Sequence, residues 1–104
     1  MTNDSNLKQL IAKRSSIKSH LTIFERFLNA INVDNLSQVY LELNTRLENL
    51  IEKQKDFDNI QSDIELIKEH SEEQFNIRED FENRFFKFRA KAKEHLISYE
   101  QSHP

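Results

Sequence analysis

Apolar residues recur every three or four positions along almost the whole chain. Between Asp34 and His70 they fall at Leu36, Tyr40, Leu43, Leu47, Leu50, Phe57, Ile60, Ile64 and Ile67. Gln54 fills one slot of that series, and polar residues hold most of the other side. Such spacing keeps one stripe on one side of a helix. An earlier stripe runs through Leu7, Leu10, Ile11, Ile17, Leu21, Phe24, Leu28 and Ile31, with Arg14 where an apolar residue is expected. A later one runs through Phe75, Arg78, Phe81, Phe85, Phe88, Ala92, Leu96 and Tyr99. Helices this long do not stay ordered in water on propensity alone, so each stripe needs a partner.

The breaks between stripes set the helices. Asp4 or Ser5 can cap a first helix over about 5–32. Asn32, Val33, Asp34 and Asn35 form the first break, because Asn tolerates the left-handed backbone that ends helices. Asn35 and Gln38 have capping-box spacing for a second helix over about 35–70. No Gly or Pro marks the second break, which is placed at His70–Gln74. There Ser71 and Gln74 have capping spacing, Glu72 and Glu73 suit a first turn, and Lys68 and His70 suit a last one. A third helix then covers about 72–101, with Ser102, His103 and Pro104 fraying. The alternative is one helix from Asn35 to Tyr99, roughly 100 Å long at ~1.5 Å per residue.

Short connections make neighbouring helices antiparallel. The expected fold is therefore all-α: an elongated up-down-up three-helix bundle or coiled coil, a single helical domain over 1–104, ~45–50 Å long. Pairing about the first break sets Phe24 opposite Leu43, Ile17 opposite Leu50 and Leu10 opposite Phe57. About the second it sets Ile60 opposite Phe81, Phe57 opposite Phe85 and Leu43 opposite Tyr99, with Leu10, Phe57 and Phe85 in one layer. The expected core is Leu10, Ile17, Leu21, Phe24, Leu43, Leu47, Leu50, Phe57, Ile60, Ile64, Phe81, Phe85, Phe88 and Leu96. Arg14 and Gln54 fall at one height, either as a polar layer that fixes register or with Arg14 reaching solvent past its own stem.

Composition narrows this further. The chain has 104 residues, 37% apolar and 32% charged, with Gly 0, Pro 1 and Cys 0. Without turn residues a β or parallel α/β fold is not reachable. Absence of Cys removes disulfides, thiolate metal sites and a cysteine nucleophile, and fits a reducing compartment. No apolar run reaches the ~20 residues of a membrane span, and the polar start does not resemble a secretory signal. The expected location is intracellular, in the cytoplasm. Net charge is -3, which speaks against nucleic acid as the main partner. The charges are uneven: from Asp34 to Glu82 there are 14 acids against 5 bases, and elsewhere 4 acids against 10 bases. Antiparallel packing sets Asp63, Glu65 and Glu69 beside the basic start of the first helix, and Glu48, Glu52 and Asp56 beside Arg84–Lys93.

Candidate chemistry is sparse. The histidines are His20, His70, His95 and His103; a bundle di-metal site wants Glu-x-x-His on two helices, and the residues three before His70 and His95 are Ile67 and Ala92. No metal, cofactor or small-molecule substrate is expected, and no catalytic residue. The stretch with Arg84, Lys87, Arg89, Lys91 and Lys93 interleaves bases with Phe85, Phe86 and Phe88, a composition that can grip single-stranded nucleic acid. Phe81, Phe85 and Phe88 sit at helical spacing, which favours a core role for them.

The residues also resemble a family. Arg14, Ser15, Ser16, Ile17 and Lys18, then Leu21, Thr22, Phe24, Phe27 and Leu28, resemble the start of the N-terminal helical domain of BEL/Pao-type LTR retrotransposon Gag polyproteins. Leu43, Arg46, Leu47 and Leu50, with Phe57, Ile60, Gln61, Ile64 and Glu65, are similar to its middle. Arg78, Glu79, Asp80, Phe81, Glu82, Phe85 and Phe86, then Ala90, Ala92 and Leu96, resemble its end. The long acidic loop associated with that family is here only Glu69–Glu73. The resemblance implies a Gag-like structural role without catalytic residues, in a polyprotein piece or a host gene derived from one. The expected function is a non-enzymatic assembly module whose partner is protein, a second copy among the candidates, with no membrane. Its expected contact strip is Phe27, Val39, Ile51, Phe86 and Ile97. The rivals are an RNA-binding module using residues 84–93 and an adaptor for another protein.

Overall fold

The structure, a computed structural model, describes residues 2–69 and 71–103, and side chains from residue 5 onward among them. Three helices follow one another: α1 (Thr2–Asn29), α2 (Leu36–Lys68) and α3 (Glu72–Ser102). All three pack against each other, α1 antiparallel to α2 and α2 antiparallel to α3. The molecule measures 57 × 22 × 19 Å. The break before α3 is present, so the single long helix from Asn35 to Tyr99 is excluded.

Each boundary has a local cause. α1 already includes residues 2–5, so Asp4 and Ser5 are not its cap; the Asp4 side chain lies outside the described residues. It stops at Asn29, earlier than expected, and the Ala30 and Ile31 N–H groups bond Phe27 and Leu28 carbonyls as the turn tightens. Asn32 and Asn35 then brace the connection reciprocally. Asn32 Oδ1 accepts from the Asp34 and Asn35 N–H groups at 2.9 and 3.0 Å. Asn35 Oδ1 accepts from Asn32 N–H at 2.9 Å, and its Nδ2 donates to the Ala30 carbonyl. Asn35 therefore makes no side-chain cap on α2, contrary to the expected capping box with Gln38. Its side chain is spent on the turn before the helix.

At the second break Ser71 caps α3: its Oγ accepts the Gln74 N–H at 3.2 Å. Replacing Ser71 with Ala should lower stability by about 1 kcal/mol, read from the shift in urea midpoint. His70, the expected last-turn base, lies outside the described residues. Glu69, at φ 60° and ψ 162°, is the one described residue with positive φ. That region is essentially reserved for Gly and costs a side-chain-bearing residue about 1–3 kcal/mol. A chain with no Gly must reverse here through strain. Glu69→Gly should accordingly raise stability by about 1 kcal/mol, less the extra entropy Gly gives the unfolded chain. An unchanged or lower midpoint would show that this backbone is relaxed.

The main core cluster is Ile17, Leu21, Phe24, Leu28, Leu43, Leu47, Leu50, Phe57, Phe81, Phe85, Phe88 and Ala92, all buried. Ile60 and Leu96, expected in the core, are half-buried and pack against its edge. Leu10 and Ile64 are buried but stand apart from that cluster. Phe57 stacks flat on Phe81, ring centroids 3.7 Å apart, and Phe81 lies 6.5 Å from Phe85.

The register differs from the expected one in a regular way. Phe24 shares a groove with Leu50, where Leu43 is expected, and Ile17 shares one with Ile60, where Leu50 is expected. Arg14 meets Gln61 rather than Gln54. The shift is seven residues of α2, one heptad, at Phe24 and Arg14, and ten at Ile17. Between α2 and α3 the offset is smaller. Phe57 meets Phe81 rather than Phe85, and Tyr40 rather than Leu43 stacks on Tyr99 at 3.9 Å. The layer of Leu10, Phe57 and Phe85 therefore does not form. The connection over residues 30–35 is long enough to admit this offset. It carries α2 past the end of α1, and the bundle is correspondingly longer than the ~45–50 Å expected of helices in even register.

Candidate interaction surfaces and the polar knot

Two polar assemblies hold the lower half of the bundle. In the first, each helix contributes one side chain. Arg14 Nη1 donates to Gln61 Oε1 at 3.0 Å and to Gln74 Oε1 at 3.2 Å. Gln61 Nε2 donates to Gln74 Oε1 at 3.0 Å, to the Gln74 carbonyl and to Glu65 Oε2. A guanidinium only donates, so both amide oxygens must face it, and the Gln61 amide nitrogen is left to donate onward. Gln61 and Gln74 are 0% and 2% exposed. Gln54, the partner expected from the sequence, is half-buried and outside this knot. Burial pushes the Arg14 guanidinium below its ordinary value, and the Glu73 carboxylate partly opposes that. Leu10 and Ile64, one turn from Arg14 and Gln61, lie beyond the knot, which explains their separation from the main cluster.

Phase along each helix accounts for these glutamines. Counting back from Phe81 by three and four reaches Arg78 and Gln74, not Phe75. Gln74 is thus in the core phase of α3, and Phe75 is turned outward, 60% exposed. Gln61 likewise follows Phe57 by four and precedes Ile64 by three.

The second assembly centres on Arg78. Its Nε and Nη2 donate to the two Glu65 oxygens at 3.0 and 3.1 Å, a fork that ties α3 to α2. Nη1 reaches Asp58, and Nη2 also reaches Ser62. Hydrogen bonding to Glu65 raises the Arg78 guanidinium further above its ordinary value, against the opposing effect of burial. The charge pairing differs from the expectation. Glu65 is bound by Arg78 of α3, where a base of α1 is expected, and Arg84 approaches Glu25 of α1 at 3.8 Å, where an acid of α2 is expected. Both follow from the shifted register.

At the opposite end Tyr40, Tyr99 and His103 stack in series at 3.9 and 4.0 Å. Desolvation, and after it the Glu100 carboxylate that accepts the Tyr40 hydroxyl, push the Tyr40 phenol above its ordinary value. The fold therefore holds that proton more tightly than the unfolded chain. Its contribution is full below the unfolded phenol value and fades as pH rises through the folded one. Urea midpoints across alkaline pH should fall more steeply for the native chain than for Tyr40→Phe; equal slopes would remove this coupling. Beside the ladder a groove of about 410 Å³ is lined by residues that include Val33, Leu36, His95 and Tyr99.

The expected contact strip does not exist as a strip. Phe27 and Ile51 are half-buried against the core, and the Arg46 guanidinium covers the Phe27 ring at 4.5 Å. Val39 is half-buried on α2. Their off-stripe positions looked outward only because the stripe was narrow; a three-helix core also takes flanking residues. Phe86 and Ile97 are exposed, 55% and 53%, and both lie on α3. Phe75 joins them on the same face, since steps of eleven residues return to one side of a helix within about 20°. Ile23, Val33, Leu41 and Leu66 are exposed elsewhere.

The basic stretch is partly committed. Arg84 donates to Thr22 Oγ1 at 3.2 Å and lies over the Phe88 ring, and Lys91 donates to Asn29 Oδ1. Arg89 is half-buried with its Nε unpartnered, while Lys87 and Lys93 are exposed. Phe85 and Phe88 are buried, so neither can stack on a base. Among the described residues no group of His, Asp or Glu is arranged to hold a metal ion, and no helix is long and apolar enough to cross a membrane. His20 and His103 are exposed and His95 is half-buried with Nε2 unpartnered.

Fold and surface together define an all-α three-helix bundle closed by a buried polar knot. Comparisons with family models, curated proteins and solved structures find no match for this chain.

Proposed function

We propose that this chain is an assembly module: a non-enzymatic helical domain, Gag-like in role, that holds protein chains together through its outer helical surfaces. One observation carries this. The core is filled, yet large apolar side chains remain in water on every helix, and Phe75, Phe86 and Ile97 fall in line on α3. Single exposed apolar residues are ordinary; the reading rests on three that return to one side of one helix. The resemblance of residues 7–99 to the N-terminal helical domain of BEL/Pao-type Gag polyproteins supports the same role, in a cytoplasmic assembly. RNA binding is the weaker alternative, because two of its three aromatics, Phe85 and Phe88, are inside the core. Sedimentation over a range of concentrations tests the proposal: the weight-average mass should rise with concentration. Nucleic acid offered at low salt should not be retained; retention that weakens steeply with added salt would favour the rival.

A further inference from the structure

The exposed apolar row on α3 is bordered by charge of one sign. Phe75 and Ile97 each stand eleven residues, about 16 Å, from Phe86. Within about 40° of the Phe86 direction the same face carries Glu72, Glu79, Glu82 and Glu100 against a single base, Lys93. Half-buried Arg89 stands at its margin. Glu82 is 3.8 Å from the Arg78 guanidinium, which Asp58 and Glu65 already share, and Glu100 accepts the Tyr40 hydroxyl at 3.3 Å. Among the described residues Glu72 and Glu79 have no ion-pair partner. A second copy does not suit this face. Antiparallel pairing sets Glu72 against Glu100 twice, and parallel pairing sets every acid against itself.

We propose that the α3 row docks a basic amphipathic helix of another protein. The proposal rests on the assembly role above and names the partner that its α3 row takes. Apolar residues of that helix cover Phe75, Phe86 and Ile97, and its Lys or Arg side chains reach the four carboxylates on either side. The acids choose the sign of the partner, since unlike charges speed encounter and like charges exclude acidic chains. The spacing chooses its form. A helix returns to one side after eleven residues, at the same repeat of about 16 Å, so one apolar stripe can meet all three side chains. A strand covers that distance in about five residues, and an odd step turns the side chain to the opposite face.

Fluorescence anisotropy tests this, with the whole chain titrated onto labelled synthetic peptides. The probe is a helical peptide of ~28 residues, enough to span Glu72–Glu100, with Leu in one stripe and Lys on both sides of it. A second probe has Glu in place of every Lys. The Lys probe should bind, more weakly as salt is added, and the Glu probe should not. Phe86→Ala should raise the Kd for the Lys probe by roughly 30-fold, and Glu79→Lys by roughly tenfold. Asp56→Lys, the same charge change in the groove between α1 and α2, should leave it within about twofold. Far-UV circular dichroism checks that these exposed substitutions leave the helices intact. A Kd indifferent to Phe86→Ala, or weakened as much by Asp56→Lys as by Glu79→Lys, would overturn the docking face; so would equal binding of both probes, or of neither. Sedimentation keeps the two readings apart. A chain whose mass rises with concentration but which ignores the Lys probe loses this face and keeps its assembly role. A chain that binds the probe yet stays monomeric at every concentration keeps this face and loses self-assembly.

Discussion

Truncating Phe57 to Ala is expected to lower the stability of this chain by about 3–5 kcal/mol. Phe57 is 1% exposed and stacks on Phe81 with ring planes 6° apart. Its removal forfeits the transfer of a whole aromatic side chain and leaves a void that helices held at both ends cannot close. Domains of this size are stable by only about 5–15 kcal/mol, so the variant should melt roughly 15 °C or more below the native chain. Phe86→Ala provides the contrast. That ring sits half in water on α3, and its loss should change monomer stability by no more than about 0.5 kcal/mol. Thermal melts of the two variants at low concentration decide the matter. Equal effects would mean that Phe57 is not at the centre of the core.

Gln61→Leu is expected to cost about 2–3 kcal/mol, and for a different reason. The apolar replacement fits the volume but leaves the Arg14 guanidinium with Gln74 alone and removes a donor from the Gln74 oxygen. Replacing Arg14, Gln61 and Gln74 together with Leu should return the lost stability or exceed it, because no desolvated polar group then remains. What the triple variant should lose is uniqueness. Spin labels on Ser16 and Asn59, which share a groove between α1 and α2, should report one distance in the native chain. In the triple variant a second population should appear, displaced by ~10 Å, which is one heptad along α2. A single unchanged distance in that variant would show that the connection over 30–35 sets the register without the knot.

That experiment also marks the limit of what periodicity can say. A stripe that repeats every seven residues looks the same after a slip of seven. Arg14 could therefore be matched with Gln54 or Gln61 on pattern alone, and Phe24 with Leu43 or Leu50. Both pairs of alternatives differ by one heptad. The α2–α3 stack of Phe57 on Phe81 was ambiguous in the same manner, by one turn. Nor did the exposed apolar residues announce themselves. Phe75 falls on the apolar stripe by a step of three from Arg78, whereas the phase running back from Phe81 by three and four excludes it and admits Gln74. Phe27 and Ile51 carried the opposite error.

The sequence by itself determined the class of fold, the presence of three helices and the Ser71 cap, because these follow from local spacing, absent Gly and Pro, and short-range hydrogen bonds. Burial of Leu21, Leu43, Phe57 and Phe85 was legible for the same reason: they fall in phase on long stripes. Only the tertiary structure decided which turn of one helix meets which turn of the next, which polar groups satisfy one another across three helices, and which apolar face is left over on α3. Those depend on the path of residues 30–35 and on contacts between side chains some fifty positions apart. Such contacts are chosen by geometry in three dimensions, and a repeating one-dimensional pattern holds several equivalent answers to that choice.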